Sequence, residues 1–394
     1  MTLRILFLTL RYGRLGGLEI YSMDLVAALR RAGCTVDVWS VFDQPGTSPD
    51  DAVPLAPRGR LAMSLYCRFL WGNLLQRKVA AVASEYDLAI CGHVNMLPVV
   101  YEASVRAGFP YWVWTHGREV WADWSPEIRS GLKAAQCIGT VSTYTKLSIS
   151  RRLPGVRVVV IPNSVDTDRF RPLPGLSTKR DRPILLTVGR LSSQERYKGQ
   201  DTVIRTLPLL ERRLGRAVEY RLVGAGDDLP GLRRLAKELG VEEHVHFLGW
   251  VPDENLVAAY QDCNVFVMPS KVERRSDGTW AGEGFGRAYI EASACGKPVV
   301  GSNQGGAAEA LVDGVTGFAV DPTSVDAVAD ACAKLLADPT LATRMGEAGR
   351  RFVVKNFSLQ VFQQRVAALL TESGLRTRLR QHQRVSPLHQ EEAK

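Results

Sequence analysis

The stretch Ala281-Gly-Glu283-Gly284-Phe285-Gly286-Arg287-Ala-Tyr-Ile-Glu291-Ala-Ser-Ala-Cys-Gly296-Lys-Pro298-Val-Val-Gly301 decides how the chain is read. A glycine-rich turn runs into a short amphipathic helix, breaks at Gly296 and Pro298, and enters the apolar pair Val299-Val300. Turn, helix, breaker and buried strand in that order belong to a parallel α/β sheet. Glu283 is expected in the loop before the helix. Glu291 is expected about two turns into it, on roughly the same face at about 3.6 residues per turn. The helix start then presents a carboxylate, bare backbone N–H groups and a positive dipole end to one ligand. Such a set suits a ligand that carries both hydroxyls and phosphates.

Outward from this stretch the same grammar repeats. Towards the N-terminus, Ile5 to Leu10 reads as a strand, Gly13 to Gly17 as a loop, Glu19 to Ala32 as a helix closed by Gly33, and Val36 to Trp39 as a second strand. Leu88–Gly92, Tyr111–Trp114, Cys137–Val141 and Val158–Ile161 continue the series. Arg171 to Pro183 is rich in Pro, Gly and charge, the composition of a linker. The pattern then restarts with strands at Ile184–Val188, Val218–Val223, Val245–Leu248, Val265–Met268 and Gly317–Val320, and helices at Asp201–Leu210 and Leu229–Leu239. Helices Val325–Leu336 and Leu341–Asn356 follow. Two open α/β domains are therefore expected, 1–170 and 183–357, binding ligands at the carboxyl ends of their strands across a shared cleft. Residues 373–394 are polar, basic and without periodicity, so disorder is expected there.

Composition narrows the function classes. The chain has 394 residues, 45% of them hydrophobic and 23% charged, the balance of an ordinary globular protein. No apolar run approaches the roughly 18 residues that span a bilayer, and Thr2 to Leu10 reads as a buried strand rather than a signal peptide. The seven cysteines are scattered with no CxxC spacing, so neither a disulfide framework nor a zinc site is expected, and a cytoplasmic setting is. The net charge of +9 concentrates in Arg58 to Lys78 and in Arg376, Arg378, Arg380 and Arg384. No nucleic-acid module accompanies it, so nucleic acid is not expected as a partner. Arg58–Lys78 mixes cations with leucines and aromatics. It reads either as a core helix with a basic outer face or as a peripheral contact with an anionic membrane.

Three further loops follow predicted strands. Arg11 to Glu19 holds Gly16 and Gly17 before a helix, where backbone can approach a phosphate or simply make a tight turn. It is not a GxGxxG fingerprint, and no ribose-binding acid follows. His116 lies just past an apolar strand, where it points into a cleft or is buried structurally. Gly189-Arg190 through Lys198-Gly199 puts a guanidinium and an ammonium in one loop. That pair suits a diphosphate: a fork for chelation and a point charge. Asp166 and Asp168 form an Asp-x-Asp pair of the kind that can hold a divalent cation.

Five pieces in this order resemble the retaining glycosyltransferases of the GT-B fold, family four: Gly16-Gly17, His116-Gly117, Val160 to Asp166, Gly189-Arg190 with Lys198-Gly199, and Glu283 to Pro298. The resemblance reaches to about Ala368. The string Glu195-Arg-Tyr-Lys198-Gly199-Gln-Asp201 is similar to that of a bacterial polysaccharide and lipid-glycan subgroup, some of which use GDP-mannose.

The resemblance implies an N-terminal acceptor domain, a C-terminal donor domain, and a last helix, 358–372, crossing back onto the first. It implies that Arg190 and Lys198 bind the nucleotide diphosphate, that Glu291 holds the ribose and that Glu283 lies by the donor sugar. Backbone N–H groups of Gly284, Phe285, Gly286 and Arg287 would hold sugar hydroxyls and phosphate. His116 would contact the sugar from the other domain, and Gly16 and Gly17 would close over the phosphate. The base would lie near Gly224, Gly226 and the backbone around Leu248. Asp166 and Asp168 match an ordinary family segment, so no metal is expected. The implied reaction moves a hexose, first mannose from GDP-mannose and second a UDP-hexose, to a glycan or lipid-linked acceptor. An NAD-binding oxidoreductase would need the missing glycine fingerprint. A non-catalytic nucleotide-sugar binder would not need all of Glu283, Glu291, Arg190 and Lys198. Replacing Arg190 or Lys198 is expected to cripple turnover with little loss of folding.

Overall fold

Short apolar runs rich in Val, Ile and Leu, each bounded by Gly, Pro or a polar turn, form strands buried on both faces. In a computed structural model that describes residues 2–13, 16–42, 52–54, 71–173 and 181–375, these runs assemble into two parallel sheets. The first holds β1 (Arg4–Thr9), β2 (Thr35–Ser40), β3 (Ala52–Pro54), β4 (Leu88–Cys91), β5 (Tyr111–Thr115), β6 (Cys137–Thr140) and β7 (Val158–Val160), in the order 3-2-1-4-5-6-7. The second holds β8 (Ile184–Val188), β9 (Glu219–Val223), β10 (Val245–Gly249), β11 (Val265–Met268), β14 (Val299–Ser302) and β15 (Gly317–Val320), in the order 10-9-8-11-14-15. β12 (Glu273–Arg274) and β13 (Trp280–Ala281) pair as a small antiparallel hairpin between β11 and the glycine-rich turn. Each sheet reverses its winding once, between β1 and β4 and between β8 and β11. Open sheets bind ligands outside the carboxyl ends of the strands at such points. This is an α/β chain of GT-B architecture.

Two chain crossings join the halves, and they lie side by side. Val165 N–H donates to the Phe357 carbonyl at 2.8 Å, and Leu359 N–H donates to the Val165 carbonyl at 3.2 Å. Arg350 clamps the same place, donating to the carbonyls of Phe170, Ala294 and Thr167 at 2.7, 2.6 and 2.9 Å. After the second crossing, helix Leu359–Glu372 packs on helix Gly17–Arg31, with Phe362 edge-on to Tyr21 at 5.3 Å. One apolar cluster therefore runs through both halves, from Tyr21, Trp112 and Phe362 to Tyr260, Phe266 and Tyr289.

Helix Trp71–Ala81 buries Leu75 and Val79 in the first half's core and leaves Arg77 and Lys78 exposed, the pattern of a core helix with a basic outer face. Residues 58–70 and the tail arginines, Arg376 to Arg384, lie outside the described residues. No described helix is long and apolar enough to cross a membrane.

Candidate active site

The two switch points face each other across the cleft, and the singled-out loops sit on them. Gly16 caps helix Gly17–Arg31 after β1, next to Arg14 and Leu15, which lie outside the described residues. His116 follows β5. Arg190 and Lys198 lie on the loop after β8, and Glu283 to Arg287 on the segment after β11.

The halves meet at Gly284. A Cβ there would stand 1.7 Å from the His116 carbonyl, so only glycine lets the segment pass under the first domain's loop. The His116 main-chain N–H donates to the Glu119 carboxylate, and its ring Nε2 lies 3.0 Å from the Gly92 carbonyl. A carbonyl only accepts, so Nε2 carries the proton. His93, 9% exposed, stacks beside it at 6.1 Å and uses Nδ1 to accept from Asn95 N–H. Burial holds the His93 imidazole neutral, with a pKa lowered to about 4.

Lys198 donates to Glu283, and the two side chains are 12% and 14% exposed. Burial alone pushes the pKa of the ammonium down. The Glu283 carboxylate, with Glu195 behind it, outweighs burial and holds Lys198 above the usual lysine range. Glu195, 4% exposed, also grips Arg190, whose Nε donates to Oε2 at 3.2 Å while Nη2 pairs with Oε1. The cations expected at the diphosphate are thus brought together, each tied to a buried carboxylate.

The helix opened by this turn is Arg287–Ala294, so Glu291 stands one turn in rather than two. Nor is the helix amphipathic. Tyr289 through Ala294 are all buried, because the element is wedged between its own sheet and helix Pro339–Phe357. Glu291, 7% exposed, accepts from Arg287 Nε at 2.9 Å on one oxygen and from Tyr260 Oη at 2.8 Å on the other. Arg287 reaches across the cleft to Asp24 at 3.2 Å, and Ser164 Oγ donates to the same carboxylate at 2.8 Å. Burial opposes charge on Arg287, but Glu291 and Asp24 raise its pKa further.

Phe285 is buried against Phe357, with ring centroids 5.2 Å apart, so its contribution at the cleft is main chain. The N–H groups of Gly284, Phe285, Gly286 and Arg287 have no acceptor among the described residues. Gly224 and Gly226 are also required by the packing of the chain itself. A Cβ on either would lie 2.0 and 2.2 Å from the carbonyls of Gly189 and Leu191, so their small size lets two strand-end loops lace together. Gly224 N–H also donates to the Gly249 carbonyl at 2.8 Å, beside the exposed Leu248.

Residues the sequence did not single out complete the closure. Glu309 accepts from Thr143 and Tyr144 N–H, each at 2.8 Å, capping helix Thr143–Arg152 from the other domain. Asp24 and Glu309 carry no local signal; only their partners across the fold mark them. Asp166 is occupied locally, accepting from the N–H groups of Asp168 and Arg169 at 3.0 and 3.1 Å. Among the described residues no group of three or more His, Cys, Asp or Glu side chains is arranged to hold a metal ion.

Comparison with known proteins agrees with this architecture. Residues 173–352 match the family described as glycosyl transferases group 1, and residues 15–169 match glycosyltransferase family 4. The chain is 40% identical, over 269 residues, to the GDP-mannose-dependent alpha-(1-6)-phosphatidylinositol monomannoside mannosyltransferase of Mycolicibacterium smegmatis, covering 65% of this chain and 69% of that one. It is 38% identical over 268 residues to the mannosyltransferase of the same description from Mycobacterium tuberculosis, covering 65% and 68%. Among solved structures, sucrose-phosphate synthase from Thermosynechococcus elongatus superposes with a TM-score of 0.77 at 24% identity, over 94% of this chain and 98% of that one.

Proposed function

The chain belongs to the group 1, family 4 glycosyltransferases, and from that premise we propose that it moves mannose from GDP-mannose to a lipid-linked glycan of the phosphatidylinositol mannoside kind, with retention of configuration. The observation that carries the reading is the cluster Arg190, Glu195, Lys198 and Glu283 at the second switch point, beside the main-chain N–H groups of residues 284–287. Residues 183–357 take the donor, residues 1–170 take the acceptor, and the helix over 358–372 returns to the acceptor domain.

In this reading Arg190 and Lys198 hold the diphosphate, and Glu291 offers its remaining lone pairs to the ribose hydroxyls. The base lies along Gly224, Gly226 and Leu248. Gly16 and Gly17 approach the phosphate from the first domain, and His116 touches the sugar. As the sugar C1–O bond breaks, its electron pair passes to the diphosphate. Charge grows there, and preorganised cations and helix N–H groups stabilise it without reorganising. The acceptor hydroxyl attacks C1 from the same face and gives its proton to the departing phosphate oxygen. Tied to Lys198, Glu283 serves sugar hydroxyls and the positive charge developing on the ring, and no covalent intermediate forms. The chemistry needs no metal. The enzyme works at the cytoplasmic face of the membrane, meeting a lipid-borne acceptor as a peripheral protein.

A thermal-shift panel tests the donor, because a ligand of the native state raises the melting temperature with its saturation. GDP-mannose and GDP are expected to stabilise the protein, and phosphatidylinositol mannosides to gain one hexose when both substrates are supplied. Stabilisation by UDP-sugars alone would replace the donor. Stabilisation by NAD alone would remove the reading.

A further inference from the structure

We infer that Glu195 is a positioning residue for the diphosphate: a buried carboxylate that fixes the arginine fork before the donor arrives. The inference rests on the proposed role of Arg190 and goes beyond it. The loop Ser193–Lys198 is a 3-10 turn that leaves helical angles at Glu195, with φ −125° and ψ 22°. That kink turns the side chain inward, where it is 4% exposed. Both carboxylate oxygens then meet one edge of the Arg190 guanidinium, Nε to Oε2 at 3.2 Å and Nη2 to Oε1. Lys198 Nζ lies 3.8 Å from Oε2.

A guanidinium has five N–H donors in a planar fork. Glu195 takes two of them along the Nε edge, so the edge between Nη1 and Nη2 remains for a phosphate. Arg190 is otherwise the most mobile kind of side chain, and it is 73% exposed. An arginine in that state would lose its rotamer freedom on binding the donor; one already gripped from behind does not. Two carboxylates, Glu195 and Glu283, also balance the two cations, Arg190 and Lys198. Attraction for the donor therefore depends on aimed N–H groups at short range rather than on surplus positive charge.

The test is a double-mutant cycle on nucleotide binding. GDP and GMP are titrated calorimetrically into the full chain, wild type and Glu195→Gln, each with and without Arg190→Ala (UDP and UMP serve if UDP is the diphosphate that binds). Glu195→Gln is expected to weaken GDP about tenfold, the cost of ordering one long side chain on binding, and to leave GMP unchanged. In the Arg190→Ala background the same substitution is expected to change neither. Glu195→Asp keeps the charge but shortens the reach, and is expected to lose as much as Glu195→Gln. Equal losses in both backgrounds, equal losses for GMP and GDP, unchanged GDP binding, or full affinity in Glu195→Asp would each overturn the inference. If Arg190→Ala alone leaves GDP binding intact, the diphosphate reading itself falls, and this inference with it.

Discussion

Replacing Lys198 by Met separates what the site does from what it costs to hold. Methionine matches the length of the lysine stem and removes only the charge. The partner, Glu283, is 14% exposed and has Lys198 as its cation. Without it, a carboxylate remains out of water and unpaired, which typically costs about 3–5 kcal/mol. For a domain of this size, each kcal/mol moves the midpoint by roughly 2–4 °C, so Lys198→Met is expected to melt about 10 °C below wild type. The burial of the pair argues for a larger cost than the sequence alone suggests at this position. Adding Glu283→Gln removes the stranded charge, so the double variant should recover most of the lost midpoint. Hydrolysis of GDP-mannose should stay abolished in both. Differential scanning calorimetry without ligand, beside the hydrolysis assay, reads the two effects separately. A Lys198→Met midpoint within about 2 °C of wild type would refute the reasoning, as would a double variant less stable than the single one.

Other expectations follow from the same geometry. His93 is held neutral by burial with a pKa of about 4 against 6.5 for the free imidazole, so the unfolded chain binds the extra proton and the folded chain loses stability as pH falls from about 6.5 towards 4. Between pH 7 and 5 this amounts to about 2 kcal/mol, and His93→Asn should lose that much less in paired urea titrations; parallel losses would count against it. Arg350→Met strips donors from the carbonyls of Phe170, Ala294 and Thr167 and should cost about 3 kcal/mol by urea unfolding, with a loss under about 1 kcal/mol showing that water takes over. Chelation with EDTA should leave transfer intact; strict dependence on added metal would return attention to Asp166 and Asp168.

The sheets were legible because each strand is a short apolar run between breakers, from Ile5 through Val300, and the switch-point loops could be placed once the strands were. Glu283, Lys198 and Arg190 could be named from their loops. Their pairing could not, because it depends on the backbone kink at Glu195 and on a separation in sequence that no period encodes. Asp24 and Arg287 meet from opposite domains, and a lone acid on a helix carries no hint of such a partner. The helix Arg287–Ala294 departs from the expected amphipathic pattern for a related reason: amphipathicity presumes one wet face, and this element has almost none. The hairpin of β12 and β13 has only two residues in each strand, too few for an alternating pattern to register.

The return of helix Leu359–Glu372 onto helix Gly17–Arg31 also bears on how the protein is made. A chain grows from its N-terminus, so the first half of this molecule leaves the ribosome with the apolar flank around Tyr21 still uncovered. Its cover is synthesised only after the whole second half. At about 5–20 residues per second that interval, about 200 residues of synthesis, is roughly 10–40 s, far longer than most domains need to collapse. The domain begun first is finished last, and during that interval its uncovered apolar flank is open to chaperones and to aggregation.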